Sequence, residues 1–530
     1  MAFIVRQKVG NHVYLYEAVA YRNEQGEPRN RRIPIGKLDE NGQPLYYDDY
    51  ILRMAEAGTP LPAHKNTTFT KSDVSCSDIK EFGSFYLLHA IAQDIGLLET
   101  LEHVFPDRWC ELFDLACFIV CNGEPFMYCQ DWLSKTDAFP ASLGSTDITR
   151  LLCSLTQHEK DTFFSLWGAY RSEKEYLALD ISSVSSYSQL IDDVAWGYNR
   201  DGENLPQINL CMLMGQQSRL PVFQSLYNGS IKDVSTLKTT LSLAFHIQGD
   251  RLILVMDKGF YSKNNVKNLL SGPLKSKFLL ALPWTLSFAQ EQVERERESI
   301  DTPEKVLVFG KEVLRMVSLS LPWPLMDGDE VYPVYVHIYY NLTVADERKN
   351  SLYGYVAELR ELAQKDHTDT RYIKEFGKYL AIKKSTRTGN VKVSIREEVL
   401  KKELRHAGWM VLISDHVKDG REALHIYRAK DVIEKGFMKL KNNLDLNRLR
   451  VHSDTTMQGK VFIDFIALIL LSRIHNVMLK AELYRLMTKL ELIRHMEKLR
   501  VQYIKCEKIL YPVSKIQKTI LDAFEVKYPL

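Results

Sequence analysis

The sequence has no cysteine-pair motif, no apolar leader and almost no net charge, and each absence removes a class of protein. Its start, MAFIVRQKVG, lacks the long apolar core and small-residue cleavage site of a secretory signal. The longest apolar run, VFIDFIALILLSRI, carries Asp464 and is too short for a bilayer span. Neither secretion nor membrane insertion is expected, and the expected location is the cytoplasm. The eight cysteines (Cys76, Cys110, Cys117, Cys121, Cys129, Cys153, Cys211, Cys506) form no CxxC pair or dense framework, which predicts reduced thiols. Cys110, Cys117 and Cys121 recur at helical spacing, and core packing is expected of them rather than metal binding. Sequons at Asn66, Asn228 and Asn341 are read as accidental. A hydrophobic share of 45% with 26% charged residues excludes bulk disorder, and 530 residues suggest two to four domains.

The net charge of +2 conceals an uneven distribution. Residues 371–450 carry a net +10 and residues 471–520 a net +7, so the remainder is strongly acidic. Local positive fields of this size attract phosphate backbones, although solvated helix faces give the same composition.

Residues 1–55 alternate polar and apolar positions and predict a small β-rich module, followed by a polar linker, AGTPLPAHKNTTFTKSD. Residues 77–169 show helical periodicity and predict a helical domain. Across 176–282, EYLALDIS, INLCMLMG and LPVFQSLYNG read as three strands in meander, the latter two joined by the turn QQSR. A helix beginning at Asp233, a strand RLILVMD, a short helix and a strand KFLLALP follow. That order predicts an α/β, RNase H-like core. Between 283 and 407 the regularity is lost, and short β-like pieces with one helical stretch, LYGYVAELRELAQK, predict a largely β insertion. GWMVLISD then resumes the core (408–475), a single helix over about 422–446 carries Glu434, and a helical region closes the chain at 476–530.

Three acids stand out: Asp180 ending YLALD, Asp257 ending RLILVMD, and Glu434 on the downstream helix. Carboxylates at strand ends and on a neighbouring helix suit a hard divalent cation with phosphate, although each has a plain alternative as a turn, cap or solvated charge. On a helical wheel Tyr427, Lys430, Glu434 and Lys441 share one face, and Asp431 is the competing carboxylate.

Tyr427, Lys430, Glu434 and Lys441 resemble the signature of DDE transposases from bacterial insertion sequences, in the branch with a β-rich insertion before the glutamate: Tyr, two residues, Arg, three residues, Glu, six residues, Lys. Lys430 replaces the arginine, with Arg428 nearby, and loses its fork-like phosphate contact. LALDISSVSSYS, LYNGSIKDVSTL, LILVMDKGFYS and GKVFIDFIALILLSRI resemble further blocks of that branch, so the likeness covers nearly the whole chain. It implies that Asp180, Asp257 and Glu434 hold two magnesium or manganese ions, and that Tyr427, Arg428, Lys430, Lys441 and Trp284 contact DNA. The implied partners are duplex DNA with terminal inverted repeats, whose ends the 77–169 helical domain is expected to bind, target DNA and a second copy of the chain. Three rivals are weighed: a nuclease with the same core that cuts without joining, a catalytically silent DNA-binding descendant, and a two-carboxylate glycosidase. The lysine-rich helix face fits phosphate better than sugar.

Overall fold

The computed structural model describes residues 2–529 apart from 10–11, 23–27, 40–43, 57–77, 170–174, 234, 238, 241–252, 273–275, 325–330, 385–390 and 505–506. The expected linker lies outside the described residues, as does most of the helix expected after Asp233.

Residues 1–78 with 503–509 form one compact unit, and 79–502 with 510–530 form a second. In the first, β1 (Ala2–Val9), β2 (His12–Arg22), β3 (Pro28–Leu38) and β4 (Pro44–Tyr46) make an antiparallel meander, and α1 (Asp48–Glu56) follows. Alternation along the strands puts Leu15 and Ile35 on one face, where Tyr50 of α1 covers them.

The second unit is built on a nine-stranded sheet. In chain order its strands are β5 (Leu177–Ser185), β6 (Gln207–Gly215), β7 (Pro221–Asn228), β8 (Ile253–Met256), β9 (Lys277–Ala281), β10 (Val306–Phe309), β11 (Glu312–Pro324), β12 (Val331–Tyr340) and β15 (Trp409–Ser414). The order across the sheet is β10-β11-β12-β15-β9-β8-β5-β6-β7. β6 runs antiparallel to both its neighbours β5 and β7, β8 and β9 add in parallel to β5, and β15 closes on β9 antiparallel. All nine residues of β6 are buried, as expected for a strand covered on both faces.

The helices of 77–169 do not form a compact unit of their own. They are α2 (Gly83–Asp94), α3 (Leu97–Val104), α4 (Trp109–Asn122), α5 (Cys129–Lys135), α6 (Ser145–Ser154) and α7 (Gln157–Ala169). They share a core with the central helix that follows the glutamate segment, Asp454–Lys480. Phe105 meets its Phe462 at 5.7 Å between ring centroids, Phe163 meets the same ring at 5.1 Å, and Phe164 meets Phe465 at 5.2 Å.

That central helix has 27 residues, longer than the apolar run alone suggested, because a Ser453 capping box extends it into polar sequence. By length and hydropathy it is able to cross a membrane, but 83% of its most apolar window is buried inside the protein, as in a core helix. Its one buried acid, Asp464, is paired with Lys460 at 3.1 Å.

The segment 283–407, expected to be largely β, is mixed. Its strands β10–β12 prolong the central sheet, while its outer part is dominated by the 24-residue helix α10 (Leu342–Lys365). With α11 (Ile373–Tyr379), the hairpin β13–β14 (Leu380–Lys384, Val391–Ile395) and α12 (Glu397–Leu404), α10 closes a separate small core around Leu352, Val356, Leu359, Phe376 and Leu400. The expected helical stretch LYGYVAELRELAQK forms the last 14 residues of α10; the ten before it, LTVADERKNS, have too few apolar positions to show the 3.6-residue period. Trp284 and His406, at the two ends of the segment, stack at 4.6 Å with planes 6° apart.

Candidate active site

Two of the three carboxylates are brought together by strand register. β5 and β8 run parallel with Leu179 opposite Met256, so Asp180 and Asp257 each stand one step beyond that pair on adjacent strands. Such strands lie about 4.8 Å apart. Asp180 is not at a strand end, as expected, but fourth of nine residues; the apolar run ends there while the ladder with β6 continues to Ser185. Asp257 stands just past the end of its strand, where it caps the turn Lys258–Phe260 and accepts a hydrogen bond from the Lys258 amide at 2.7 Å.

The third element departs from the expected single helix. The chain forms α13 (Gly420–Arg428), breaks at Ala429–Lys430 and resumes as α14 (Asp431–Asn443). Tyr427, Lys430 and Glu434 nevertheless converge on the aspartates. The Tyr427 hydroxyl donates to Asp257 Oδ1 at 3.0 Å. The Lys430 ammonium, only 5% exposed, lies 3.7 Å from Asp180 Oδ2 and 3.4 Å from Glu434 Oε1. Burial raises the Asp180 carboxyl above its ordinary pKa, against the pull of Lys430. Burial and the adjacent Asp257 likewise raise the Tyr427 phenol, which stays protonated as a donor.

Each aspartate therefore has one oxygen engaged by a backbone amide, Ile181 N on Asp180 Oδ1 and Lys258 N on Asp257 Oδ1. Asp180 Oδ2 and Glu434 Oε1 face a buried cation. This donor chemistry, hard oxygens around a positive charge, fits a divalent ion. Among the described residues no three ligating side chains yet converge closely enough to hold one; the ammonium occupies the space between two of them.

The other sequence-selected residues lie apart from this centre. Asp431 pairs with Lys435 at 2.5 Å, Lys441 with Asp201 at 2.6 Å, and Arg428 with Glu312 at 3.0 Å. Trp284 has one ring face covered by His406.

Sequence reasoning missed the 186–206 connection, whose polar, aperiodic residues give no strand or helix signal. It is nonetheless pinned beside β5: Arg200 pairs with Asp233 and weakly opposes the burial that raises the Asp180 pKa, and the Arg200 amide donates to Ser183 Oγ at 3.2 Å. Trp196 and Tyr198 in this connection are 63% and 83% exposed.

The family model of the transposase DDE domain matches residues 171–470, more than half of the chain and all three carboxylates. The chain belongs to the transposase DDE domain family. It is thus a metal-dependent DNA transposase, an enzyme of DNA cleavage and strand transfer. Among solved structures, the transposase is similar to the piggyBac transposase synaptic complex with hairpin DNA, with 13% identity and a TM-score of 0.36 over 84% of this chain and 74% of that one. No curated protein matches it.

Proposed function

We propose that this transposase serves a bacterial insertion sequence, in the branch with the Tyr-Arg-Glu-Lys spacing, and that Asp180, Asp257 and Glu434 are its catalytic carboxylates on an RNase H-like core. The strand order β7-β6-β5-β8-β9, an antiparallel meander continued by two parallel strands, supports the core assignment. One observation carries the site: register sets Asp180 beside Asp257, and one buried ammonium spans Asp180 and Glu434.

Two magnesium or manganese ions held by these carboxylates would activate the attacking hydroxyl and stabilise the leaving oxygen of an in-line displacement. Tyr427 fixes the orientation of Asp257 through Oδ1 and leaves Oδ2 clear of that contact. Lys430 offsets carboxylate repulsion before DNA arrives and is placed to neutralise phosphate afterwards. Lys441, held at the surface by Asp201, exchanges that partner for backbone phosphate. The substrates are duplex DNA with the terminal inverted repeats of the element and a target duplex. Two ends processed together call for at least a homodimer, acting in the cytoplasm.

The test is magnesium-dependent cutting and joining of DNA that carries the flanking repeats, with Asp180→Ala, Asp257→Ala and Glu434→Ala as controls. Full activity in any of these variants rules out the assignment of that residue. Cutting without joining would make the chain a nuclease instead.

A further inference from the structure

A second concentration of positive charge lies on α14 away from Glu434. Counting about 100° per residue, Lys435 and Lys439 stand roughly 100° and 140° round the helix from Glu434. Lys439 is 7% exposed and its ammonium has one long contact, 3.4 Å to Ser472 Oγ, which is itself fully buried. On the central helix, His475 stands one turn beyond Ser472, its Nδ1 2.6 Å from the Tyr484 hydroxyl. Asn476 donates to the Ser218 carbonyl at 2.7 Å and so brings the β6–β7 turn, with exposed Arg219, against the same helix. Lys489, first residue of α16 (Lys489–Glu497), reaches Asn443 Oδ1 at 3.2 Å at the other end of α14. Among the described residues, no carboxylate lies within ion-pair distance of Lys439, Lys489 or Arg219; only Lys435 has one, Asp431.

We propose that this cluster, with Lys439 and Ser472 as floor and Arg219, His475 and Lys489 around them, binds a backbone phosphate of DNA at a place distinct from the three carboxylates. A buried ammonium ringed by like charges is costly unless an anion completes it. In isolation the groups respond by shedding protons. Burial, then Lys489, Arg219 and Lys435, pulls the Lys439 pKa down to about 7; burial and the same neighbours with Lys439 bring His475 to about 4. The N-terminus of α16 adds its dipole to the same side. The occupant is a DNA phosphate because donors from the β6–β7 turn, the central helix, α14 and α16 meet at a surface rim, as along a duplex. Lys439 lies five residues from Glu434, about 7.5 Å along the axis of α14, so one helix would serve both the reacting strand and a second stretch of backbone. The proposal rests on the reading of the chain as a DNA enzyme.

The experiment measures binding of the full chain to a duplex of arbitrary sequence as salt is raised, for the wild type, Lys439→Met, and the double variant Arg219→Ser with Lys489→Gln. Loss of one phosphate contact flattens the slope of log K against log salt by about 0.9, so between about 50 and 200 mM salt each variant loses roughly threefold less affinity than the wild type. Inorganic phosphate should raise the melting temperature of the wild type and not that of Lys439→Met. Wild-type slopes in both variants overturn the proposal, and phosphate stabilisation with unchanged DNA slopes reassigns the cluster to a free anion. Asp180→Asn must keep the wild-type slope while losing cleavage. If the wild type itself cuts no DNA, the functional reading fails whatever the slopes; if it cuts and the slopes do not move, this inference alone fails.

Discussion

Replacing Lys430 by methionine removes the cation between Asp180 and Glu434 while keeping the chain length of the side chain. At an effective dielectric constant near 20, each contact, 3.7 and 3.4 Å, represents about 4–5 kcal/mol of unscreened attraction. The Glu434 side chain is 60% exposed, so its share falls below about 1 kcal/mol. Asp180 is 24% exposed and otherwise enclosed, and stripping a partner from such a carboxylate costs about 3 kcal/mol. The expected loss is therefore about 3 kcal/mol at neutral pH, read as a lower thermal midpoint of the second unit. Its pH dependence has a definite sign. The folded pKa of Asp180 already lies above its ordinary value and rises further without Lys430. A group raised in this way contributes its stability fully below the unfolded pKa, near 4, and loses it as pH rises through the folded value. The deficit of Lys430→Met should thus vanish in acid and grow toward neutrality. Magnesium should stabilise the variant more than the wild type, because Asp180 Oδ2 and Glu434 Oε1 are then open; tenfold tighter binding corresponds to about 1.4 kcal/mol. Equal pH profiles and equal magnesium responses in the two proteins would refute the idea that ammonium and metal share one place.

Asp114, fully buried, makes no well-formed hydrogen bond, and burial pushes its pKa to about 8 with only partial relief from the Phe139 amide. Its protonated form stabilises the fold at low pH and that contribution fades between about pH 4 and 8, so Asp114→Asn should raise the melting temperature increasingly over this window, by up to about 5 kcal/mol in stability at pH 8. A flat difference across the titration excludes a buried neutral acid. Gly229→Ala places a Cβ 1.9 Å from the Gln207 carbonyl and 2.6 Å from that of Ala195, which should cost about 1–3 kcal/mol in urea unfolding and release the 186–206 connection to proteolysis. Lys460→Met leaves Asp464 without its partner in the central helix and should destabilise by about 3–5 kcal/mol, whereas the double change with Asp464→Leu should recover most of that. Chemical denaturation of both proteins checks it.

The core strands were legible because continuous apolar runs such as INLCMLMG and GWMVLISD have no other use in a mixed protein. The acids were legible for the opposite reason, as charges at positions those runs leave for polar groups. Periodicity carried no information on the break at Ala429–Lys430, where neither glycine nor proline intervenes. There the Lys430 amide bonds to Tyr427 O at 3.1 Å, while the two side chains are drawn to Asp180 and Asp257, so tertiary contacts decide the backbone. Of the four residues the wheel grouped, Tyr427, Lys430 and Glu434 still fall together, since a tight turn shifts their angles only modestly, while Lys441 pairs with Asp201 instead. The prolongation of the sheet through β10–β12 was equally hidden: pairing of β12 with β15 joins segments some 70 residues apart, and no local pattern encodes that partnership.

Asn341 N donates to Gly408 O at 2.8 Å, and the next rung pairs Tyr340 with Trp409. Chain that departs at the first of these points comes back at the second, having folded a core of its own in between. Residues 342–407 therefore leave and rejoin the ladder at adjacent rungs, anchored at their far end by Arg405 on Glu294 and His406 on Trp284. A short hairpin turn suffices to join β12 to β15 without them, and foreign domains whose termini lie as close together have a ready port of entry.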